Sequence, residues 1–208
     1  MVRYVHRIQR GEVNRSSTMP PLDLMRLARV NVVGTSGSGK STIAKQLAAI
    51  LNCPHIELDK LYWEANWSHA ADNVFFDRIA NALHTPRWVL DGNYDRSLSI
   101  KWREVTTVIW LDYSFARTFG QSLRRAVSRM ITRQELWPGT GNRESFRLTF
   151  LSKESVLLWM IRTHGKMRRR YLAVMNDAKY AGIHFVRLRN PRETKTFLAS
   201  IQQRDDGA

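Results

Sequence analysis

One segment in the first quarter of the chain restricts the possible folds more than any other. It reads Gly34-Thr35-Ser36-Gly37-Ser38-Gly39-Lys40-Ser41-Thr42 and fits the pattern GxxxxGK[ST]. A short β-branched run precedes it, and apolar residues at helical spacing follow it as far as Asn52-Cys53-Pro54. This order of strand, glycine-rich loop and helix is the context in which the pattern binds phosphates, and it predicts an α/β fold.

The residue types in this loop match the chemistry of a triphosphate. Glycine lets the backbone N–H groups approach phosphate closely, and the N-terminus of the following helix adds its dipole. Lys40 would reach the β- and γ-phosphates, and the Ser41 hydroxyl would bind Mg²⁺. We therefore expect Gly34 to Thr42 to bind ATP, Lys40 to act in catalysis as well, and Ser41 to be a metal ligand.

Four further segments have the composition of strands, at residues 55–59, 87–91, 106–111 and 184–188, with helical stretches at about 115–134 and 154–178. Strands that alternate with helices indicate a parallel sheet covered on both faces. The prediction is a P-loop three-layer α/β/α sandwich with a five-stranded parallel sheet, formed by residues 29–208 as one domain.

Two aspartates end predicted strands, Asp59 the second and Asp91 the third. In open α/β sheets ligands bind at the carboxyl ends of the strands, so both side chains should face the phosphate loop. A carboxylate there can hold Mg²⁺ or take a proton from an acceptor hydroxyl. We assign Asp91 to the metal and to catalysis and Asp59 to catalysis; the alternative for each is a helix cap or turn residue.

The net charge of +15 arises mainly in the second half of the chain, which is rich in arginine. Arg117, Arg124, Arg125, Arg129 and Arg133 recur at helical spacing. A helical lid over about residues 117–147 is the first interpretation, with Arg125 and Arg129 as catalytic candidates on phosphate. A surface that binds nucleic acid and a solvated helix face are the alternatives.

The first 28 residues are basic and lack the apolar core of a secretory signal, so we expect a disordered tail, with Met25 as an alternative start. A single cysteine, Cys53, excludes an internal disulfide, and no apolar run is long enough for a bilayer. These features favour a cytoplasmic protein without a membrane partner, and a monomer or homodimer is expected.

Several motifs together resemble the adenylate-kinase-related P-loop kinases, and most closely the group called DNA topology modulation protein, FlaR-type. The resemblance spans about residues 28 to 200 and implies a nucleoside-monophosphate-kinase-like fold that uses ATP and Mg²⁺. In that family the third strand ends in Asp-Gly, an aromatic residue, proline and arginine. Asp91 and Gly92 match this pattern, Asn93 to Asp95 depart from it, and Arg96 stands one place later than the family's arginine. The motifs are the phosphate loop, Leu58-Asp59, Asp91-Gly92-Asn93-Tyr94 and Glu135-Leu136-Trp137.

Two further segments resemble elements of related kinases. Asp59-Lys60-Leu61-Tyr62 is similar to the Asp-x-Phe-Tyr element of uridine-kinase-like enzymes, whose aspartate takes the proton of a sugar hydroxyl. The loop after the last strand corresponds to one that wraps the adenine ring, which implies that Arg189 and Arg192 stack on it. The alternative is a helix start with Asn190 as N-cap and Pro191 as first helical residue.

The function predicted from these features is transfer of the γ-phosphoryl group of ATP, with Mg²⁺, to a small acceptor. A nucleotide, a nucleoside or another hydroxylated metabolite would serve, and Tyr62, Trp63 and Trp67 either stack on it or close a hydrophobic loop. The alternatives are a nucleic-acid-associated P-loop ATPase or polynucleotide kinase, and a nucleotide-binding regulator with little turnover.

Overall fold

The computed structural model describes residues 3–4, 24–132, 135–143 and 156–205. Its sheet has the strand order β1-β6-β5-β2-β4-β3. All neighbouring strands are parallel except β1, which pairs antiparallel with β6. The strands are β1 (Arg3–Tyr4), β2 (Arg29–Gly34), β3 (His55–Glu57), β4 (Trp88–Asp91), β5 (Thr107–Leu111) and β6 (His184–Leu188).

Seven α-helices connect or follow these strands within the described residues. They are α1 (Lys40–Ile50), α2 (Leu58–Tyr62), α3 (Asp72–Ala82), α4 (Leu98–Lys101), α5 (Phe115–Thr132), α6 (Val156–Met175) and α7 (Pro191–Asp205). None of these helices is long and apolar enough to cross a membrane.

The core consists of two apolar clusters, because the buried strands present apolar side chains to both faces of the sheet. One cluster joins the sheet to Leu47 of α1 and Phe197 of α7. The other joins it to Phe75 of α3 and Tyr171 of α6. The predicted three-layer sandwich and the five parallel strands are therefore confirmed.

The structure differs from the prediction at the end of the second strand and at the edge of the sheet. The second strand ends at Glu57, so Asp59 is not a strand residue but lies in the first turn of α2. Leu58, the first residue of α2, is fully buried and packs against Gly92. The antiparallel edge strand β1 was also not predicted. Residues 5–23 of the basic tail, and 133–134 and 144–147 of the proposed lid, lie outside the described residues.

Candidate active site

The phosphate loop connects β2, the central strand of the parallel sheet, to the N-terminus of α1. Gly37 and Gly39 have φ angles of 80° and 87°, in the left-handed region that favours glycine. Gly39 immediately precedes α1, and Lys40 and Ser41 form the first turn of that helix. Thr35 and Ser38 are buried, whereas Ser41 and Thr42 are exposed. The loop therefore presents its amides and Lys40 at the carboxyl edge of the sheet.

Asp91 lies at the end of the neighbouring strand β4 and is buried. Burial raises the pKa of its carboxyl group, Lys40 and a hydrogen bond from Ser41 lower it, and the charge of Asp59 raises it. Lys40, Ser41 and Asp59 are thus each close enough to Asp91 to affect its carboxyl group. Asp91 Oδ1 is buried and has no hydrogen-bond partner in the part of the chain that the structure describes.

Asn93 ties the turn after β4 to the phosphate loop by a reciprocal pair of hydrogen bonds. The Gly34 N–H donates to Asn93 Oδ1 at 3.1 Å, and Asn93 Nδ2 donates to the Gly34 carbonyl at 2.8 Å. The side-chain amide thus reproduces the donor and acceptor of a neighbouring backbone at the point where β2 leaves the sheet. This contact sets the position of the loop relative to Asp91.

Asp59, in the first turn of α2, accepts a hydrogen bond from the turn that follows β4. The Tyr94 hydroxyl donates to Asp59 Oδ1 at 2.7 Å. Burial, followed by the nearby Asp59 carboxylate, raises the pKa of Tyr94 far above its ordinary value, so the phenol stays a donor. The segment Asp91 to Tyr94 therefore contacts both the phosphate loop and the second predicted carboxylate.

Two buried polar side chains, Lys101 and Asn31, donate hydrogen bonds to backbone carbonyls at the end of β4 and in the turn that follows it. Lys101 is fully buried, and its ammonium donates to the carbonyls of Gly92 and Asn93. Asn31, in the middle of β2, donates to the carbonyls of Leu90 and Gly92 at 3.1 and 3.2 Å. Asn31 Oδ1 in turn accepts from Trp102 Nε1 at 2.8 Å.

The next two residues of the turn are engaged on its outer side. Asp95 forms an ion pair with Arg170 of α6. Arg96, one place later than the family arginine, pairs with Asp72 at 2.9 Å and lies 4.8 Å from the ring centre of Tyr62. Arg96 thus forms an ion pair with a residue of α3 and a cation–π contact with a residue of α2.

The arginine-rich helix α5 approaches the phosphate loop. Arg125 Nη2 donates to Ser36 Oγ at 2.9 Å, and Arg129 lies one turn further along, half-buried. Arg117 and Arg124 are exposed, so the predicted arginine series divides between a face toward the site and a face toward solvent. Arg133 lies outside the described residues.

Residues 135–143, which follow α5, dock on the loop after α2. Trp137 stacks on Trp63 with ring centres 5.6 Å apart, and Trp67 contacts both rings edge-on. Asn142 Oδ1 accepts from the Trp67 N–H at 2.9 Å, and its Nδ2 donates to the Glu64 carbonyl at 2.8 Å. Trp63 and Trp67 therefore both pack against a third tryptophan, which favours the interpretation of hydrophobic closure.

The loop after β6 forms a helix start, as the turn interpretation predicted. Asn190 Oδ1 accepts from the Glu193 N–H at 3.0 Å, and α7 begins at Pro191. Arg189 and Arg192 are exposed at this end of the sheet. Asp112, at the end of β5, pairs with Arg187 and Arg168, which gives it a structural role.

The contacts around the phosphate loop and the two aspartates were not predicted from the sequence. The departure of Asn93-Tyr94-Asp95 from the family pattern was a usable signal, because all three side chains make specific contacts. Asn31, a polar residue inside a buried apolar strand, was a second signal. Nothing in the sequence marked Lys101 as buried.

The family model described as shikimate kinase matches residues 36–81, which include most of the phosphate loop and Asp59. A gluconokinase from Sinorhizobium meliloti 1021 is 18% identical with a TM-score of 0.48, covering 87% of this chain and 95% of its own. A sugar kinase from Janibacter sp. HTCC2649 is 14% identical with a TM-score of 0.43, covering 84% and 90%. No curated protein matches the chain.

The parallel α/β/α sheet and the phosphate loop define a P-loop fold of the type found in kinases. The partial match to the shikimate kinase model supports this class. The matched model is not one for the DNA topology modulation group, so that closer resemblance stays a prediction.

Proposed function

We propose that the protein transfers the γ-phosphoryl group of ATP to a hydroxyl group of a small molecule. The observation that carries the proposal is the placement of Asp91 beside the phosphate loop: it ends β4, the strand next to β2, and its buried Oδ1 has no hydrogen-bond partner among the described residues. A phosphate-binding cation, two candidate metal ligands and a second carboxylate are the groups that phosphoryl transfer to an alcohol requires.

The residues present suit ATP and Mg²⁺. The loop amides and Lys40 would hold the phosphates, and Ser41 and Asp91 would hold the metal. Asp91 Oδ1, buried without a hydrogen-bond partner among the described residues, supports this assignment because such an oxygen needs a cation or water. When bound, Mg²⁺ neutralises charge on the phosphates.

Asp59 is the candidate general base for the acceptor hydroxyl. Asp59 follows β3, and the parallel strands have the order β6-β5-β2-β4-β3. It therefore lies on the side of the phosphate loop that is away from β5 and β6. An acceptor placed there would approach the γ-phosphate from the side opposite Arg189 and Arg192, which we assign to the adenine end of ATP. Asp59 would take the proton as the acceptor oxygen attacks phosphorus.

Arg125 and Arg129 are assigned to the transferring phosphate. The contact of Arg125 with Ser36 supports its presence beside the loop. A guanidinium at that position stabilises the charge on the transferring group. When α5 covers the site, it also excludes water that would otherwise hydrolyse ATP.

An oligonucleotide acceptor is the second candidate function, and the exposed basic face of α6 favours it. Arg162, Lys166 and Arg169 are exposed at helical spacing on that helix. A phosphate-binding surface of this kind gives affinity that falls steeply with salt.

The test measures conversion of ATP to ADP with Mg²⁺ and follows the phosphate into each of several acceptors. The panel contains shikimate, sugars and sugar acids, nucleosides, nucleoside monophosphates and 5′-hydroxyl oligonucleotides. Transfer to a small hydroxylated compound is the expected result. Transfer only to oligonucleotides favours the second function, and ATP binding without any transfer contradicts both.

Two variants with matched controls test the assignments. Lys40→Ala should lower kcat/KM at least a hundred-fold, since Lys40 compensates phosphate charge throughout transfer. Lys45→Ala, which removes an exposed lysine of the same helix, should not. Asp59→Asn should lower kcat about a hundred- to ten-thousand-fold, leaving measurable residual transfer, and should spare ATP affinity. Asp77→Asn, at an exposed position of α3, is its control. Unchanged turnover in Lys40→Ala would contradict the phosphate-site assignment.

A further inference from the structure

The hydrogen bond between Tyr94 and Asp59 joins two separate elements at the site. Tyr94 belongs to the turn after β4, whereas Asp59 belongs to α2. The 2.7 Å bond uses Asp59 Oδ1, and within the described residues no hydrogen bond to Oδ2 is formed. One carboxylate oxygen is therefore fixed, and the other is left for a further donor.

The backbone conformation of Tyr94 is energetically unfavourable. Its φ angle of 23° is in the positive region that aromatic residues rarely adopt. Two hydrogen bonds from Ser97 to the Tyr94 carbonyl, at 3.0 Å from the backbone N–H and 2.8 Å from Oγ, hold this conformation. Strained residues that persist in this way are concentrated at functional sites.

The ring of Tyr94 is held independently of its hydroxyl group. Its centre lies 4.9 Å from that of Tyr62 and 5.1 Å from that of Phe75. A phenylalanine at this position would keep both contacts and lose only the hydrogen bond. The contribution of the hydroxyl can therefore be separated from that of the packing.

We propose that Tyr94 is a positioning residue that orients Asp59, so that Asp59 Oδ2 accepts the proton of the acceptor hydroxyl. The inference rests on the proposed function and adds the group that aims its base. In the step, the acceptor O–H proton moves to Oδ2, the acceptor oxygen forms a bond to the γ-phosphorus, and the bond from that phosphorus to the β–γ bridging oxygen breaks to release ADP. A hydrogen bond to one carboxylate oxygen limits rotation of the other, which improves the alignment for proton transfer.

The first test compares Tyr94→Phe with wild type, using the acceptor that the panel identifies. We expect kcat to fall about ten- to a hundred-fold, as for loss of a hydrogen bond to a charged group, with KM for ATP within about two-fold. Tyr113→Phe is the control, because it removes a hydroxyl that bonds Thr194 Oγ1 at 2.6 Å. A purely structural role would lower stability in both variants without a selective loss of kcat.

A double-mutant cycle shows whether Tyr94 acts through Asp59. In an Asp59→Asn background, Tyr94→Phe should have no further effect on kcat, since there is no base left to orient. Additive effects on kcat would overturn the inference while leaving the proposed function intact. Full activity of Asp59→Asn itself would instead remove Asp59 as the base, and with it this inference.

Crystal structures of wild type and Tyr94→Phe give a readout that needs no acceptor. We expect the Asp59 side chain to leave its wild-type rotamer in the variant while the ring at position 94 stays in place. An unchanged Asp59 rotamer in Tyr94→Phe contradicts the positioning role even if turnover is reduced.

Discussion

Lys101 is the residue whose burial is hardest to explain by packing alone. Burial lowers the pKa of its ammonium from an ordinary 10.5 to about 7. Its hydrogen bonds go to the backbone carbonyls of Gly92 and Asn93. A cation buried among carbonyl groups stabilises the fold less than an apolar residue would, unless it fixes a particular conformation. Here that conformation is the turn that contains Asp91.

The lowered pKa predicts how stability changes with pH. Unfolding restores the pKa of Lys101 to about 10.5, so the unfolded chain binds one more proton between about pH 7 and 10.5. The free energy of unfolding should therefore rise as the pH increases from 7 toward 9.5. Lys101→Met should lose this rise, as measured by urea unfolding at each pH.

The control for that series is Lys45→Met, at an exposed position of α1. It should keep the wild-type dependence on pH. The same slope in the Lys101 and Lys45 variants would show that Lys101 is not the group responsible.

At the scale of elements, the phosphate loop packs directly on α5 through Gly37. A Cβ atom at Gly37 would lie 2.1 Å from Ser122 Oγ and 2.6 Å from the Thr118 carbonyl oxygen. At Gly39, whose φ angle is similar, a Cβ atom would meet nothing within 4 Å. The two glycines thus share a conformational requirement but differ in crowding.

Alanine substitutions at these glycines separate the two effects. Gly39→Ala should cost about 1 kcal/mol of unfolding free energy, from the left-handed backbone alone. Gly37→Ala should cost about 1–3 kcal/mol more, because the methyl group displaces α5. Urea unfolding measures both values.

A second substitution identifies the source of the crowding. Adding Ser122→Ala to Gly37→Ala should recover part of the loss, since Ser122 Oγ is the nearest atom. Equal stability of Gly37→Ala and Gly39→Ala would contradict the packing of the loop on α5.

The elements that the sequence predicted best are the buried parallel strands. Residues such as Val30, Val89 and Val186 lie in short apolar runs, and such runs are what a strand covered on both faces requires. The end of β3 was missed because Leu58, the first residue of α2, continues the alternation of apolar and polar residues that Ile56 and Glu57 begin. Local pattern cannot distinguish these two cases.

The contacts that hold the site were predicted least well, for a different physical reason. Gly34 and Asn93 are 59 residues apart, and Tyr94 and Asp59 are 35 apart. Such pairs depend on the sheet order, which a single sequence does not specify. The residue types were visible as departures from a family pattern, but their partners were not.

At the scale of the whole molecule, α5 contacts the phosphate loop, and residues 135–143 contact the loop that follows α2. Arg125 contacts Ser36 at one end, and Trp137 and Asn142 contact residues 64–67 at the other. The two ends therefore contact the phosphate loop and the segment that follows α2, the helix that contains Asp59. Under the proposed function, we infer that the tryptophan contact keeps water from the transferring phosphate.

Replacing Trp137 tests that inference. Stacked aromatic pairs contribute about 0.5–1.5 kcal/mol beyond burial, so Trp137→Ala should increase opening of this contact about two- to twelve-fold. The fraction of ATP hydrolysed without transfer should then rise, because water reaches the γ-phosphate more often. Trp137→Phe keeps a stacked ring and should stay close to wild type. The ratio of free phosphate to phosphorylated acceptor measures the effect, and acrylamide quenching of tryptophan fluorescence reports the opening. If quenching increases in Trp137→Ala while that ratio stays constant, the contact holds the loop but does not exclude water.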